Sequence, residues 1–235
     1  MFKEYQSKKN LAIFIAVLFH VSGFIGITFT PYKSWFIEAT WLNLVLMAVL
    51  LVYTNEDNNR SFWLFAAISF VVGFLVEVIG VNTGLLFGNY TYGKPMGIKL
   101  FNVPILIGVQ WFVTIYCCGV ITYNVQRWVE NRVLKETGKL PELQHYNKIQ
   151  IISLIIDGAL LAVILDYTLE PIAQKLGYWT WANQKIPIYN YICWFFISAF
   201  LLLVLRMFKF KKVNHFALHL FIIQLLFFIA LSLFL

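Results

Sequence analysis

The sequence predicts an all-α polytopic membrane protein, and three observations predict it. Of the 235 residues, 60% are hydrophobic and only 12% are charged, about half the charged fraction of an ordinary soluble domain. Mean hydropathy is +0.75. The apolar residues are gathered into runs of about 20, the length that crosses a hydrocarbon core as a helix. Disorder, a disulfide scaffold and a cytosolic enzyme are excluded on these grounds. Residues 1–235 read as a single integral membrane domain.

Seven apolar segments are expected as spans: 11–30, 36–54, 62–81, 103–124, 150–168, 189–207 and 214–235. The first is too long for the core of a signal peptide, lacks a small-x-small cleavage site and ends in Thr30-Pro31. The second is interrupted by Glu38 and Asn43. The three cysteines, Cys117, Cys118 and Cys193, fall inside apolar runs and read as small buried hydrophobes.

Basic residues alternate between loops. Lys3, Lys8, Lys9, Arg60, Arg127, Arg132, Lys135, Lys139, Lys148, Arg206, Lys209, Lys211 and Lys212 fall on one side, and Lys33, Lys94, Lys99, Lys175 and Lys185 on the other. Cytoplasmic loops carry the excess of Lys and Arg. The thirteen-to-five split places the N-terminus in the cytoplasm and the C-terminus outside, in what is expected to be a prokaryotic cell membrane. The net charge of +7 is read as this asymmetry rather than as a nucleic-acid surface. The polar, basic loop 125–149 is expected to be a partly helical connector near anionic lipid.

The chain repeats itself. Glu77 precedes Tyr90-Thr91-Tyr92 by thirteen residues, and Asp166 precedes Trp179-Thr180-Trp181 by thirteen. Pro104 precedes Trp111 by seven, and Pro187 precedes Trp194 by seven. Two units of span, outer loop and span follow, 62–124 and 150–207, as parallel repeats about an axis along the membrane normal. A site between them is the expected consequence.

An ionisable side chain in a span costs about 2.5–3.5 kcal/mol on insertion scales and points to function. Glu77 and Asp166 occupy matching places near the outer ends of their spans. Glu170 follows Asp166 by one helical turn, on the same face if the helix continues to Pro171. Carboxylates that close in a low dielectric share a proton, which makes an acid and a base from one residue type. Asp157, nine residues before Asp166, falls on the opposite face and reads as an interhelical hydrogen-bonding group.

Tyr90, Tyr92, Trp111, Trp179, Trp181 and Trp194 recur beside the carboxylates and are expected to line a pocket that stacks on a polyene and stabilises a cation. Asn190, Asn82, Thr83 and Gln110 are polar groups in or beside spans, read either as orienting the carboxylates or holding a water, or as satisfying backbone at a helix end. Pro104 and Pro187 are expected at span starts. His20, His145, His215 and His219 are scattered without carboxylate partners, so no metal is expected. The sequence has no Walker A loop, no dinucleotide fingerprint in a strand–helix setting and no Asp-rich prenyltransferase box.

At these residues the sequence resembles the membrane carotenoid biosynthesis proteins of the carotenoid 1,2-hydratase (CruF) type. The run from Glu77 to Tyr92 (EVIGVNTGLLFGNYTY), with Val103-Pro104, is similar to the family's first signature. Leu165-Asp166-Tyr167-Thr168-Leu169-Glu170-Pro171, Gly177-Tyr178-Trp179-Thr180-Trp181, Ile186-Pro187, Asn190 and Trp194 are similar to the second. Where the family often has Asp, Glu170 keeps a carboxylate.

The resemblance implies cofactor-independent hydration of the terminal double bond of an acyclic carotenoid end, giving a tertiary alcohol. The implied substrates are lycopene-, γ-carotene- or bisanhydrobacterioruberin-like. The implied surroundings are membrane lipid and other carotenoid enzymes.

The residues suit that chemistry. A neutral carboxylic acid protonates the alkene, aromatic faces stabilise the tertiary cation, and an ionised carboxylate takes a proton from the attacking water. Asp166 is assigned as donor and Glu77 as base or water-positioner, with Glu170 tuning the pair. Two other readings stay open. A membrane lycopene cyclase-like isomerase would use the same protonation. A proton-coupled transporter or pigment-binding protein would not be an enzyme; no mid-span lysine is present for a retinal Schiff base.

Overall fold

The computed structural model describes residues 2–137 and 143–235, with side chains from 6–136 and 149–235. Eight α-helices are found among them: α1 (Phe2–Phe29), α2 (Lys33–Glu38), α3 (Thr40–Thr54), α4 (Arg60–Thr83), α5 (Leu106–Thr137), α6 (Leu143–Lys175), α7 (Ile188–Met207) and α8 (His215–Phe234). Six are long and apolar enough to cross a membrane. Lys139 lies outside the described residues, as do the side chains of Lys3, His145 and Lys148.

The second expected span is corrected. Segment 36–54 is split at Ala39 between α2 and the 15-residue α3. Fifteen residues rise about 22 Å, less than the roughly 30 Å hydrocarbon core. Yet α3 runs between the two ends of the bundle, from Thr40, which meets the Tyr178 hydroxyl at 2.5 Å, to Thr54, which donates to Asn214 Oδ1 at 3.2 Å, so the loops still alternate. Loop 125–149 is also shorter than expected, because α5 continues to Thr137 and α6 begins at Leu143.

The central helix is α5. In its most apolar stretch 72% of residues are buried, against 28–39% in the other five long helices. Helix α4 packs on α5 and α6 on α7, while α1 packs on α8. Phe24 and Phe29 meet Phe234 edge-on, with ring centroids 5.4 and 5.5 Å apart.

Short strands close one end of the bundle. Strand β1 (Tyr90–Tyr92) follows α4, β2 (Lys99–Leu100) pairs with β3 (Val103–Pro104), and β4 (Trp179–Trp181) follows α6. The two aromatic-Thr-aromatic segments, 89 residues apart in sequence, pair with each other. They run antiparallel with Tyr90 opposite Trp181, Thr91 opposite Thr180 and Tyr92 opposite Trp179. Side chains alternate across a strand, so the threonines are exposed and all four aromatics are buried. Pro187 stands at the N-cap of α7, and Pro104 lies in β3, two residues before α5.

Toward the other end, the chain leaves α3 through a neutral polar cluster. The Asn214 amide donates to the Leu51 carbonyl (3.0 Å) and the Tyr116 hydroxyl (3.4 Å). Tyr116 donates to Asn55 Oδ1 at 2.6 Å, and Asn55 donates to Asn58 Oδ1 at 2.8 Å. Asn214 Oδ1 also accepts from the Phe216 amide and caps α8.

Candidate active site

Three carboxylates are buried where the strand pair meets the helix ends: Glu77 on α4 (5% exposed), and Asp166 (2%) and Glu170 (3%) on α6. They line one small cavity with Tyr90, Tyr92, Trp111, Trp179, Trp181, Asn190 and Trp194. Its volume is about 20 Å³, space for about one water. Among the described residues, no lysine, arginine or histidine lines it.

Glu77 is held by three donors. The Tyr90 hydroxyl donates to Oε2, the Tyr92 hydroxyl donates to the same oxygen at 2.8 Å, and the Trp111 indole N–H donates to Oε1 at 3.0 Å. Burial, and then the Glu77 carboxylate beside them, pushes both phenols well above their ordinary range. They therefore keep their protons and stay donors. Gly73 lets Trp111 in: a Cβ there would stand 2.3 Å from the Trp111 side chain.

Glu170 on α6 is held in the same manner. The indole N–H groups of Trp179 and Trp181 donate to Oε2 at 2.8 and 2.7 Å. The Asn190 amide donates to Glu170 Oε1 at 3.2 Å and to Asp166 Oδ2 at 2.8 Å.

Here the sequence match is corrected. Thirteen-residue spacing pairs Asp166 with Trp179, as it pairs Glu77 with Tyr90, yet the indoles reach Glu170. Helix α4 ends six residues after Glu77, whereas α6 runs nine residues past Asp166, through Pro171 to Lys175. Three extra residues are about 4.5 Å of helix. They set Asp166 deeper and bring Glu170 level with its strand.

Asp166 differs from its neighbours. It accepts one hydrogen bond, at Oδ2, while its buried Oδ1 has no hydrogen-bond partner among the described residues.

The aromatics join the segments around α4–α5 to those around α6–α7. Trp111 and Trp194 stack with centroids 3.9 Å apart and planes 8° from parallel. Tyr90 lies 4.9 Å from Trp181, and Tyr92 5.8 Å from Trp179. Gly88, in a left-handed conformation at φ 115°, lets the loop before β1 pass Pro187; a Cβ there would come within 2.9 Å of the proline ring.

Gln110 also lines the cavity. Asn82 and Thr83 do not. Both are exposed at the end of α4, where Asn82 donates to the Val78 and Phe101 carbonyls and Thr83 to the Ile79 carbonyl. They satisfy backbone at a helix terminus. Asp157 is exposed on α6 and accepts from Ser153 of its own helix, in place of the expected interhelical bond. Phe87 and Ile107 complete the cavity wall. Neither is marked in the sequence, since both read as ordinary apolar residues beside a turn or helix start.

A family model described as carotenoid biosynthesis protein matches residues 37–235. No curated protein and no solved structure matches the chain.

Proposed function

The chain belongs to the carotenoid biosynthesis protein family, and from that premise we propose that it hydrates the terminal double bond of an acyclic carotenoid end without a cofactor. One observation carries the reading: three buried carboxylates share a one-water cavity that no basic side chain lines. Three anions that close, with no counter-ion in the lining, are unfavourable in a low dielectric. A proton held among them is the cheapest relief.

The hydrogen bonds favour a division of labour. Glu77 and Glu170 each accept three donors, and donors to a carboxylate favour its ionised form. Asp166 accepts one, and its free Oδ1 is where an acidic proton has no protein acceptor to hold it. Asp166 is therefore the donor. Its O–H bond breaks as the alkene π pair forms a new C–H bond at the CH carbon. The dimethyl-substituted carbon becomes a tertiary cation, facing aromatic rings. Water in the cavity attacks that carbon, and Glu77 takes the proton the water loses. Returning this proton to Asp166 through the cavity resets the site. The sum is alkene plus water to tertiary alcohol. Glu170 keeps its charge beside Asp166 and favours the cation electrostatically.

The basic-loop asymmetry supports placing this end of the bundle on the outer side, with the N-terminus in the cytoplasm. The test is expression in hosts that accumulate lycopene or γ-carotene, followed by pigment mass analysis. A gain of one water is expected, and its loss in Asp166→Asn and Glu77→Gln. A product of unchanged mass would favour cyclisation. Equal hydration by both variants and wild type would remove these residues from the mechanism.

A further inference from the structure

A second cavity lies against the first. It occupies about 460 Å³ among α1, α2, α3, α5, α6 and α8, within the roughly 300–1,000 Å³ typical of small-molecule sites. Its wall is mostly apolar, with Met47, Val113, Leu165, Phe227 and Phe228 prominent; His20, Asn43, Gln110 and Gln224 are its larger polar members, and among the described residues no Asp, Glu, Lys or Arg contributes. Gln110 and Trp179 line both cavities. At its far side, Leu18 and Phe19 of α1 and Trp35 and Leu42 of α2 and α3 line the chamber and are also 40–64% exposed on the outer surface of the bundle. On that side only apolar side chains separate the chamber from the surface of a chain whose surroundings are lipid.

We infer that this chamber, and not the aromatic cluster around the carboxylates, receives the acyclic end of the polyene. The inference rests on the proposed hydration and adds where the two reactants sit. A space of about 20 Å³ admits about one water and has no room for a branched alkene. Tyr90, Tyr92, Trp111 and Trp181 are already engaged in holding carboxylates. Water belongs in the small polar cavity and the alkene in the large apolar one. They meet past the wall that Gln110 and Trp179 share, where displacement of the Gln110 side chain brings the terminal double bond to Asp166. Gln110 makes no side-chain hydrogen bond among the described residues, so its amide is available to orient the water at that wall. A hydrophobic substrate reaches the site from the bilayer on the side of Leu18, Phe19, Trp35 and Leu42, without crossing water.

Gly23 gives the means to test this. A Cβ added there meets only Phe227, at 3.7 Å, an ordinary contact, so a leucine side chain can project into the chamber far from the carboxylates. Lycopene binding to the purified full-length protein is read by quenching of tryptophan emission. The Glu77→Gln background is used so that bound pigment is not consumed. Gly23→Leu in that background is expected to weaken binding at least tenfold. In the wild-type background it is expected to raise KM at least tenfold while kcat stays within about twofold.

Met47→Phe, from the α3 wall, is the parallel variant should Gly23→Leu fail to fold. Unchanged lycopene affinity in a folded chamber variant overturns the inference and leaves the hydration standing. Tight lycopene binding that the chamber variants abolish, with no hydrated product from wild type, overturns the hydration and leaves the chamber standing. Brominated phospholipid that quenches Trp35 and is not displaced by lycopene makes the chamber a lipid site and also overturns the inference.

Discussion

Two buried polar clusters sit toward opposite ends of the bundle, and they differ in kind. The Asn55–Tyr116–Asn214 cluster is neutral, and its donors and acceptors are paired with one another, with backbone or with a cap. The Glu77–Asp166–Glu170 cluster concentrates acid. It leaves Asp166 Oδ1 without a hydrogen-bond partner among the described residues and encloses a water-sized void. A neutral, satisfied network stabilises a fold, because leaving any member unpaired costs its desolvation. An acidic, incompletely satisfied one opposes folding, and its retention points to chemistry. Substitutions at the two ends should therefore have opposite signatures.

The largest effect is expected at the acidic end. Asp166→Asn keeps the shape and removes the transferable proton. Turnover should fall by roughly 10²–10⁴-fold, the usual contribution of a positioned acid, while the melting temperature stays level or rises. A variant that loses activity and melts much lower would make Asp166 a structural residue. The counterpart is Asn214→Leu, which removes the amide donor to the Leu51 carbonyl, leaving it the Thr54 hydroxyl at 3.3 Å, and uncaps α8. It should cost about 1–3 kcal/mol of stability, read by thermal or denaturant unfolding in detergent. Activity per folded molecule should not change.

A smaller effect is expected at the wall between the cavities. Gln110→Leu removes the one amide that both cavities share. The tertiary cation then loses a proton to a carboxylate more often than it gains water. The product should shift from alcohol toward an alkene isomer of unchanged mass, with total substrate consumption falling only severalfold. An unaltered product ratio would take Gln110 out of water delivery.

How much of this the sequence holds follows from the range of each interaction. The spans are legible because hydropathy is summed over 20 residues. The carboxylates and Tyr90, Tyr92, Trp179 and Trp181 are legible because each lies within about fifteen residues of its partner, in a pattern that occurs twice; Trp111, 34 residues from Glu77, is marked only by its spacing from Pro104. The break at Ala39 is less so: Glu38 and Asn43 mark an interruption, yet only the packing of α2 against α1 says that it divides a helix. The exchange of Asp166 for Glu170 as indole acceptor depends on where α6 stops, and Pro171 gave a local reason to end it early. The neutral cluster joins residues 61 and 98 positions apart, each of which reads singly as an ordinary polar residue near a span. The chamber is a gap among six helices, and of its lining Gln110 and Trp179 are marked in the sequence for the carboxylate pocket rather than for the chamber. Long-range coincidence is the part that local pattern does not contain.

The smallest effect belongs to the neutral end and separates it from the acidic one by pH. Lys212 is buried there, with its Nζ donating to the Phe208 carbonyl at 2.8 Å and lying 4.6 Å over the Phe210 ring. Burial, with Arg206 adding repulsion, holds its ammonium down to about 8. Unfolded, the same side chain titrates near 10.4. Between those values the unfolded chain binds the extra proton, so stability should rise with pH across that window and be flat below it. Lys212→Met should remove the slope between about pH 8 and 10 and leave Asp166-dependent turnover at neutral pH unaltered. A slope that persists in Lys212→Met would assign it to another group, and a loss of turnover would show the two ends to be coupled.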